Sequence, residues 1–138
     1  MPQVRQEINI IDATITGSVA SDSNEIIQLN TTQYVNPTYY FEAVISGAAS
    51  NTGTITLRRI GTTTDDATLT GRTDATLTRT RSASFSPPAG QTQYMVRNNA
   101  DGTRSQTIKN GRIIIIDNPT TLTSSQTQIE VGNNETGK

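Results

Sequence analysis

Cysteine, histidine and tryptophan are absent from this chain, and lysine occurs at only two of its 138 positions, Lys109 and Lys138. Without cysteine the chain can form neither disulfide bonds nor thiolate metal sites. Without histidine it lacks the commonest general base, and a nucleophilic triad would need a serine–lysine pair that the surroundings of neither lysine indicate. The sequence therefore predicts a protein that is not an enzyme and that uses no cofactor and no transition metal.

Carboxylates are the remaining side chains that could support catalysis or bind a metal ion. The twelve acidic residues lie mostly in turn-like sequences, where turn formation and solubility explain them. Two carboxylates could hydrolyse a glycoside, but a hydrolase ranks behind a structural protein and a binding module. Asp65 and Asp66, and residues 98–102, offer oxygen ligands for calcium, yet neither segment has the spacing of an EF-hand loop. We therefore predict no metal site.

Positive and negative charges are nearly balanced, with eleven basic and twelve acidic residues. A nucleic-acid surface would need a basic patch, and a single-strand platform would need aromatic residues, of which there are only four tyrosines and two phenylalanines. No apolar run approaches the ~20 residues of a membrane span, and residues 1–6 lack the apolar segment of a signal peptide. We predict no nucleic-acid partner, no membrane span and no signal peptide in this chain.

Short β-type runs separated by turn residues follow one another along residues 1–118, which we predict to form a single domain. Threonine occurs 25 times, and the strong helix formers are scarce. About eight strands at this spacing predict an all-β fold, an antiparallel β-sandwich, with a jelly roll preferred over an immunoglobulin-like arrangement. The β-type runs that contribute to these strands are residues 4–16, 26–29, 39–45, 54–60, 68–70, 76–85, 92–97, 105–109 and 112–117, the first of which could form one strand or two.

The dipeptide Asn110-Gly111 lies between two of these runs and is the strongest short-range hairpin signal in the sequence. A type I′ turn at this point would set Ile108 opposite Ile113 in the two strands. Ile108, Ile113 and Ile115 would then share one face, which we assign to the core.

The other two isoleucines of this region, Ile114 and Ile116, would form an apolar strip on the opposite face of the sheet. Something should cover this second face too. The polar tail, residues 119–138, contains one apolar pair, Ile129 and Val131, whose spacing places both side chains on one face of a strand. We predict that the tail docks as a strand or arm on its own sheet or on a neighbouring subunit.

The succession of strands resembles jelly-roll modules that are repeated in large bacterial surface proteins, carbohydrate-binding-like modules and the decoration proteins of phage heads. The resemblance covers roughly residues 38–117 and depends on strand pattern, so it implies a fold and carries over no binding residues. The segments that carry it are residues 39–45, 54–57, 80–82, 88–97 and 111–116.

Two functions are compatible with these observations. The first is a non-enzymatic structural subunit of a virion surface or an extracellular filament, assembled through strand contacts with copies of itself or with a larger protein shell. Its location would be a virion or the cell exterior. The alternative is a carbohydrate-binding or adhesive module, in which Tyr34, Tyr40 and Tyr94 would stack on a glycan while Asn, Gln and Arg side chains bind its hydroxyls.

Overall fold

The computed structural model describes residues 4–9 and 14–118. These residues contain ten β-strands and one 3-10 helical turn, Thr31–Gln33, and none of their helical segments has the length and hydrophobicity to cross a bilayer. Residues 119–138, with Ile129 and Val131, lie outside the described residues. The strands are β1 (Val4–Asn9), β2 (Ile15–Gly17), β3 (Ser21–Asp22), β4 (Ile27–Asn30), β5 (Pro37–Ser46), β6 (Thr54–Arg59), β7 (Asp65–Thr70), β8 (Thr78–Arg81), β9 (Gln91–Asn99) and β10 (Gln106–Asp117).

The strands form two antiparallel sheets that face each other. Sheet A has the order β1-β10-β5-β8, with β2 also paired to β10, and sheet B has the order β3-β9-β6-β7, with β4 also paired to β9. From β4 onwards, only the connection from β6 to β7 stays within one sheet, whereas every other connection crosses to the opposite sheet. This strand order is that of a jelly roll, and it differs from the immunoglobulin sandwich, in which several consecutive strands share a sheet. The predicted jelly roll is therefore confirmed.

The core lies between the two sheets and is built from alternate residues of the long strands, as period-two burial requires. Aromatic rings connect the two sheets: the ring centroids of Tyr39 and Phe85 are 5.9 Å apart, and those of Phe85 and Tyr94 are 6.3 Å apart. The buried core comprises Leu29, Tyr39, Phe41, Ala43, Ile45, Ile55, Leu57, Ala67, Leu69, Tyr94, Val96, Ile108, Ile113 and Ile115.

The predicted hairpin at Asn110-Gly111 is wrong, because β10 runs through this dipeptide as one strand. Strand β5 is ten residues long and pairs with both halves of β10, so tertiary pairing overrides the local turn signal. A β-bulge between Lys109 and Arg112 absorbs the dipeptide, with Asn110 at a φ of 53°, a left-handed conformation that asparagine tolerates. The bulge turns Ile108 and Ile113, an odd number of positions apart, to the same buried face.

The predicted long strand at residues 76–85 is shorter in the structure, where β8 covers only Thr78–Arg81. Arg79 and Arg81 are exposed on the outer face of sheet A. Regular alternation would put Phe85 on the same side as these arginines. The chain is irregular between Arg81 and Phe85, and Phe85 packs against the core while its backbone pairs with Tyr39.

A buried amide network joins the sheets at one end of the sandwich. Gln106 Nε2 donates to Asn98 Oδ1 at 2.9 Å, and Asn51 Nδ2 donates to Gln106 Oε1 at 2.9 Å. Asn98 Nδ2 donates to the carbonyl of Gly17 at 3.1 Å, so the chain of hydrogen bonds continues to strand β2. All three amides are more than nine-tenths buried, and hydrogen bonding offsets the cost of removing them from water.

Candidate functional site

Tyr94, one of the three predicted sugar-stacking residues, is a core residue with no exposed surface. Its hydroxyl donates to Asp66 Oδ2 at 2.5 Å, and burial raises the pKa of this phenol well above its usual range. A buried ring cannot stack on a sugar, so the prediction for Tyr94 is wrong. The inward face of β9 explains the burial, since Tyr94, Val96 and Asn98 alternate with outward-facing residues.

Tyr34 and Tyr40 are both partly exposed but lie on different surfaces. Tyr34 follows the 3-10 turn, packs edge-on against Tyr39 at 6.2 Å, and donates its hydroxyl to Gln6 Oε1 at 3.0 Å. Burial, followed by the nearby Tyr34 and Asp117, raises the pKa of Tyr39 to about 12. Tyr40 lies on the outer face of sheet A. The structure therefore does not bring the three predicted tyrosines together into one platform.

Tyr40 belongs to a charged network on the outer face of sheet A. The guanidinium of Arg81 lies 5.1 Å from the centroid of the Tyr40 ring, within the range of a cation–π contact. Arg81 Nε also donates to Glu42 Oε2 at 3.3 Å, and Arg79 Nη1 donates to Glu42 Oε1 at 3.0 Å. Glu42 is only 4% exposed, so two arginines neutralise a buried carboxylate. A sugar stacking on the side of Tyr40 that Arg81 covers would first have to displace the arginine.

Ile114 lies on the same outer face, between Glu7 of β1 and Tyr40 of β5. It has no exposed surface, although it is outside the core between the sheets. That something covers the rest of this face stays a prediction, because the polar tail lies outside the described residues. Ile116 is half-buried. The two isoleucines lie on the predicted outer face, but Ile114 presents no exposed apolar surface there. Whether they take part in assembly stays a prediction.

An open cleft lies at the edge of the sandwich, between β2 and the chain from Asp22 to Glu25. Its volume is about 310 Å³. Ser23 anchors one wall, because its amide donates to the carbonyl of Val96 at 2.8 Å and its hydroxyl accepts from the amide of Val96 at 3.1 Å. The lining residues are Thr14, Ile15, Thr16, Asp22, Ser23, Asn24 and Glu25.

The side chains of the cleft supply hydroxyl, amide and carboxylate groups around one half-buried isoleucine. Arg97 Nη1 donates to Asp22 Oδ1 at 2.8 Å, which fixes that carboxylate on the wall of the cleft. Thr16 Oγ1 is 3.1 Å from Thr107 Oγ1 of β10, which holds the opposite wall. Donors and acceptors in a concave site can orient a polar ligand. No predicted strand covers residues 17–25, and the polar run 21–25 is the only sequence signal of this cleft.

The acidic segments considered for calcium are engaged with donors of the chain itself. Asp65 pairs with Arg58 at 2.7 Å and Asp66 with Arg59 at 2.8 Å. Asp101 accepts hydrogen bonds from the backbone amides of residues 52, 103 and 104, which hold the pKa of its carboxyl far below the usual range. Within residues 4–9 and 14–118, no three His, Cys, Asp or Glu side chains are grouped to hold a metal ion.

No protein-family model and no curated protein sequence matches this chain. Among solved structures, it is similar to the carbohydrate-binding module CBM36 in complex with calcium and xylotriose, at 16% sequence identity and a TM-score of 0.45. The match covers 83% of this chain and 99% of that one. A likeness at this level transfers no ligand, metal or activity, and the assignment of a jelly roll depends on the strand order.

Proposed function

We propose that this chain is a non-catalytic carbohydrate-binding β-sandwich, and that its sugar site is the cleft between β2 and residues 22–25. The observation that carries the proposal is the lining of the cleft, in which six of seven side chains end in a hydroxyl, an amide or a carboxylate. Sugars present many hydroxyl groups that both donate and accept hydrogen bonds. A cleft with such a lining suits them better than an apolar metabolite, for which sites are predominantly hydrophobic.

The cleft offers both kinds of contact that a sugar ring needs. The carboxylate of Asp22 accepts hydrogen bonds, the amide of Asn24 donates and accepts them, and the threonine hydroxyls do both. Ile15 supplies an apolar surface for the C–H face of the ring. The cleft is open, so one or two units of a longer polysaccharide can enter it without a chain end.

Binding without turnover is proposed because the chain lacks the commonest general base, histidine, and because one of the two carboxylates in the cleft is engaged by an arginine. The chain contains no histidine and no cysteine, and Asp22 in the cleft is held by Arg97. We expect incubation with a bound polysaccharide to leave its length distribution unchanged, as measured by size-exclusion chromatography. Shortened products that disappear on substituting Asp22 or Glu25 would show that the chain is a glycoside hydrolase.

Titration of a panel of soluble neutral and acidic polysaccharides by affinity electrophoresis tests the sugar site. Asn24→Ala and Thr14→Ala each remove one exposed polar side chain of the cleft, and we expect each to weaken binding roughly three- to tenfold, the value of about one hydrogen bond. Asn36→Ala is the matched control, since Asn36 is exposed and lies outside the cleft. Equal binding by the cleft variants and by the control would place the sugar elsewhere.

Self-association is the second candidate, and a pair of exposed valines favours it. Val4 is 48% exposed and is paired with Asp117, and Val35 is 55% exposed and donates its amide to the same aspartate. Two exposed apolar side chains near the same aspartate, at one end of sheet A, suit a contact with another copy or with a larger shell, as on a virion or an extracellular filament. Sedimentation velocity of the chain and of a Val4→Ser, Val35→Ser variant tests this. A wild-type monomer at micromolar concentration would exclude homo-oligomers held together by these valines.

A further inference from the structure

The outer face of sheet A gathers positive charge, although the chain has a formal net charge of −1. Strand register places five cations on this face, against two carboxylates, Glu7 and Glu42. The cations are Arg5, Arg79, Arg81, Lys109 and Arg112. Among the described strand residues, five cations against two carboxylates leave an excess of three positive charges on this face.

Four of these cations surround the buried Glu42. Arg112 of β10 and Arg81 of β8 are its neighbours on the two adjacent strands. In the next row, Lys109 and Arg79 lie on either side of Val44. Directly opposed residues on adjacent strands have Cβ atoms about 5 Å apart, so each cation lies at about that distance from Glu42 or Val44 of the strand between them. We call Arg79, Arg81, Lys109 and Arg112 the cationic face.

The two arginines of β8 keep donors available for a ligand. Glu42 accepts from Nη1 of Arg79 and from Nε of Arg81, whereas a guanidinium has five N–H donors in a fixed fork. The side chains of Arg79 and Arg81 are 55% and 39% exposed, while that of Glu42 is 5% exposed. The buried carboxylate therefore fixes the arginines in place, and their outer edges match the planar geometry of a second carboxylate.

The cationic face adjoins the wall of the cleft. Thr16 in the cleft contacts Thr107 of β10, and Lys109 lies two residues further along the same strand, hence on the same face. A polymer held in the cleft can therefore continue across β10 towards Arg79. The path runs over the partly exposed Thr107 and Lys109 and then past Val44 to the exposed Arg79.

We propose that the cationic face binds the carboxylate groups of an acidic polysaccharide, one built from uronic acids, whose chain also occupies the cleft. This inference rests on the proposed carbohydrate binding and specifies its ligand class. The carboxylate of a uronic acid offers the arginine forks the same partner that Glu42 already provides. The hydroxyl groups of the same polysaccharide form hydrogen bonds with the side chains of the cleft.

The test compares polygalacturonate with its fully methyl-esterified form, a matched polymer that has the same backbone without the charge; alginate and hyaluronate are further acidic probes. We expect the esterified polymer to bind roughly tenfold or more weakly, and the preference to shrink as salt is raised from 50 to about 500 mM, because screening shortens the range of exposed charges. Equal affinity for the two forms, together with weakening by Asn24→Ala, would overturn this inference and leave the proposed function standing. If no acidic polymer binds, the inference fails. If no neutral polysaccharide binds either, the proposed function fails as well.

Charge variants identify the surface. Arg79→Gln with Lys109→Gln removes two cations and leaves Arg81 on Glu42, and we expect roughly five- to tenfold weaker binding of polygalacturonate. Arg72→Gln with Arg104→Gln changes the net charge equally on other loops and serves as the control. Arg79→Lys keeps the charge but loses the planar fork, so we expect it to bind polygalacturonate more weakly than the wild type and more tightly than Arg79→Gln. Equal weakening by both double variants, or equally tight binding of single-stranded DNA, would mean unspecific attraction of polyanions and would contradict a uronate site.

Discussion

Gly71 offers the sharpest test of the buried amide network, because any side chain at this position meets fixed atoms. A Cβ at residue 71 would lie 2.3 Å from Gln106 Oε1 and 2.4 Å from the carbonyl oxygen of Gly53. Both atoms already accept hydrogen bonds: Gly53 O from the amide of Gly71 at 3.0 Å, and Gln106 Oε1 from Asn51 at 2.9 Å. The Gly71→Ala variant must therefore displace the backbone, the amide network or both.

The expected cost has two sources. Overpacking of a close-packed site costs about 1–3 kcal/mol, and separating Asn51 from Gln106 leaves buried amide groups unsatisfied for about another 1–3 kcal/mol. The two costs are not additive, because moving the amide groups apart also reduces the overpacking. We therefore expect Gly71→Ala to lower the free energy of unfolding by about 2–4 kcal/mol. Urea denaturation followed by circular dichroism measures this difference, provided the m-value is unchanged.

Gly17→Ala is the matched control for this experiment. The carbonyl of Gly17 ends the same network, but a Cβ there meets nothing closer than 3.9 Å. We expect Gly17→Ala to change the free energy of unfolding by less than about 1 kcal/mol, in either direction. If Gly71→Ala were as stable as Gly17→Ala, the close packing of this end of the sandwich would be refuted.

Three further variants test other parts of the fold. Asn110→Val should cost about 1–2 kcal/mol, because a β-branched residue is forced to a positive φ, whereas Asn110→Gly should be nearly neutral; equal melting temperatures would contradict the bulge. The lowered pKa of Asp101 contributes stability that is present above about pH 4, the usual pKa of an aspartate, and is lost as the pH falls towards the folded-state pKa. In the Asp101→Asn variant, the free energy of unfolding should therefore fall less steeply as the pH is lowered below about 4. An unchanged pH dependence would show that another group controls it. Phe85→Ala should lower the free energy of unfolding by about 2–4 kcal/mol, because it removes the ring that packs between Tyr39 and Tyr94. This loss is somewhat smaller than that expected for a fully buried ring. A melting temperature within 2 °C of the wild type would contradict that packing.

Strand alternation made much of the fold predictable. In β5, Tyr39, Phe41, Ala43 and Ile45 point inward, as their spacing indicates. The succession of short strands without helical periodicity was sufficient to predict the jelly roll. The Asn110-Gly111 dipeptide led to the wrong prediction of a hairpin. Its turn signal is local, whereas β5 is long enough to pair with both halves of β10.

The candidate site was harder to predict because it depends on long-range pairing. Thr16 reaches the cleft through the pairing of β2 with β10, and Asp22 reaches it through the pairing of β3 with β9. These partners are more than seventy positions apart along the chain, and no local pattern connects them. Tyr94 was a poor candidate for the related reason that sequence does not show which face of β9 is buried. Glu42 was not identified from the sequence as the common partner of Arg79 and Arg81, because the three residues meet only through the pairing of β5 with β8.

Amide chemical-shift mapping tests the sugar site most directly. The ¹⁵N-labelled chain would be titrated with short oligomers of galacturonic acid and with a neutral oligosaccharide of equal length. The proposed site predicts saturable shifts that concentrate at residues 14–16 and 22–25, extending to Thr107, Lys109 and Arg79 only with the acidic oligomer. Shifts confined to another surface, or no shifts with either ligand at millimolar concentration, would contradict carbohydrate binding at this cleft.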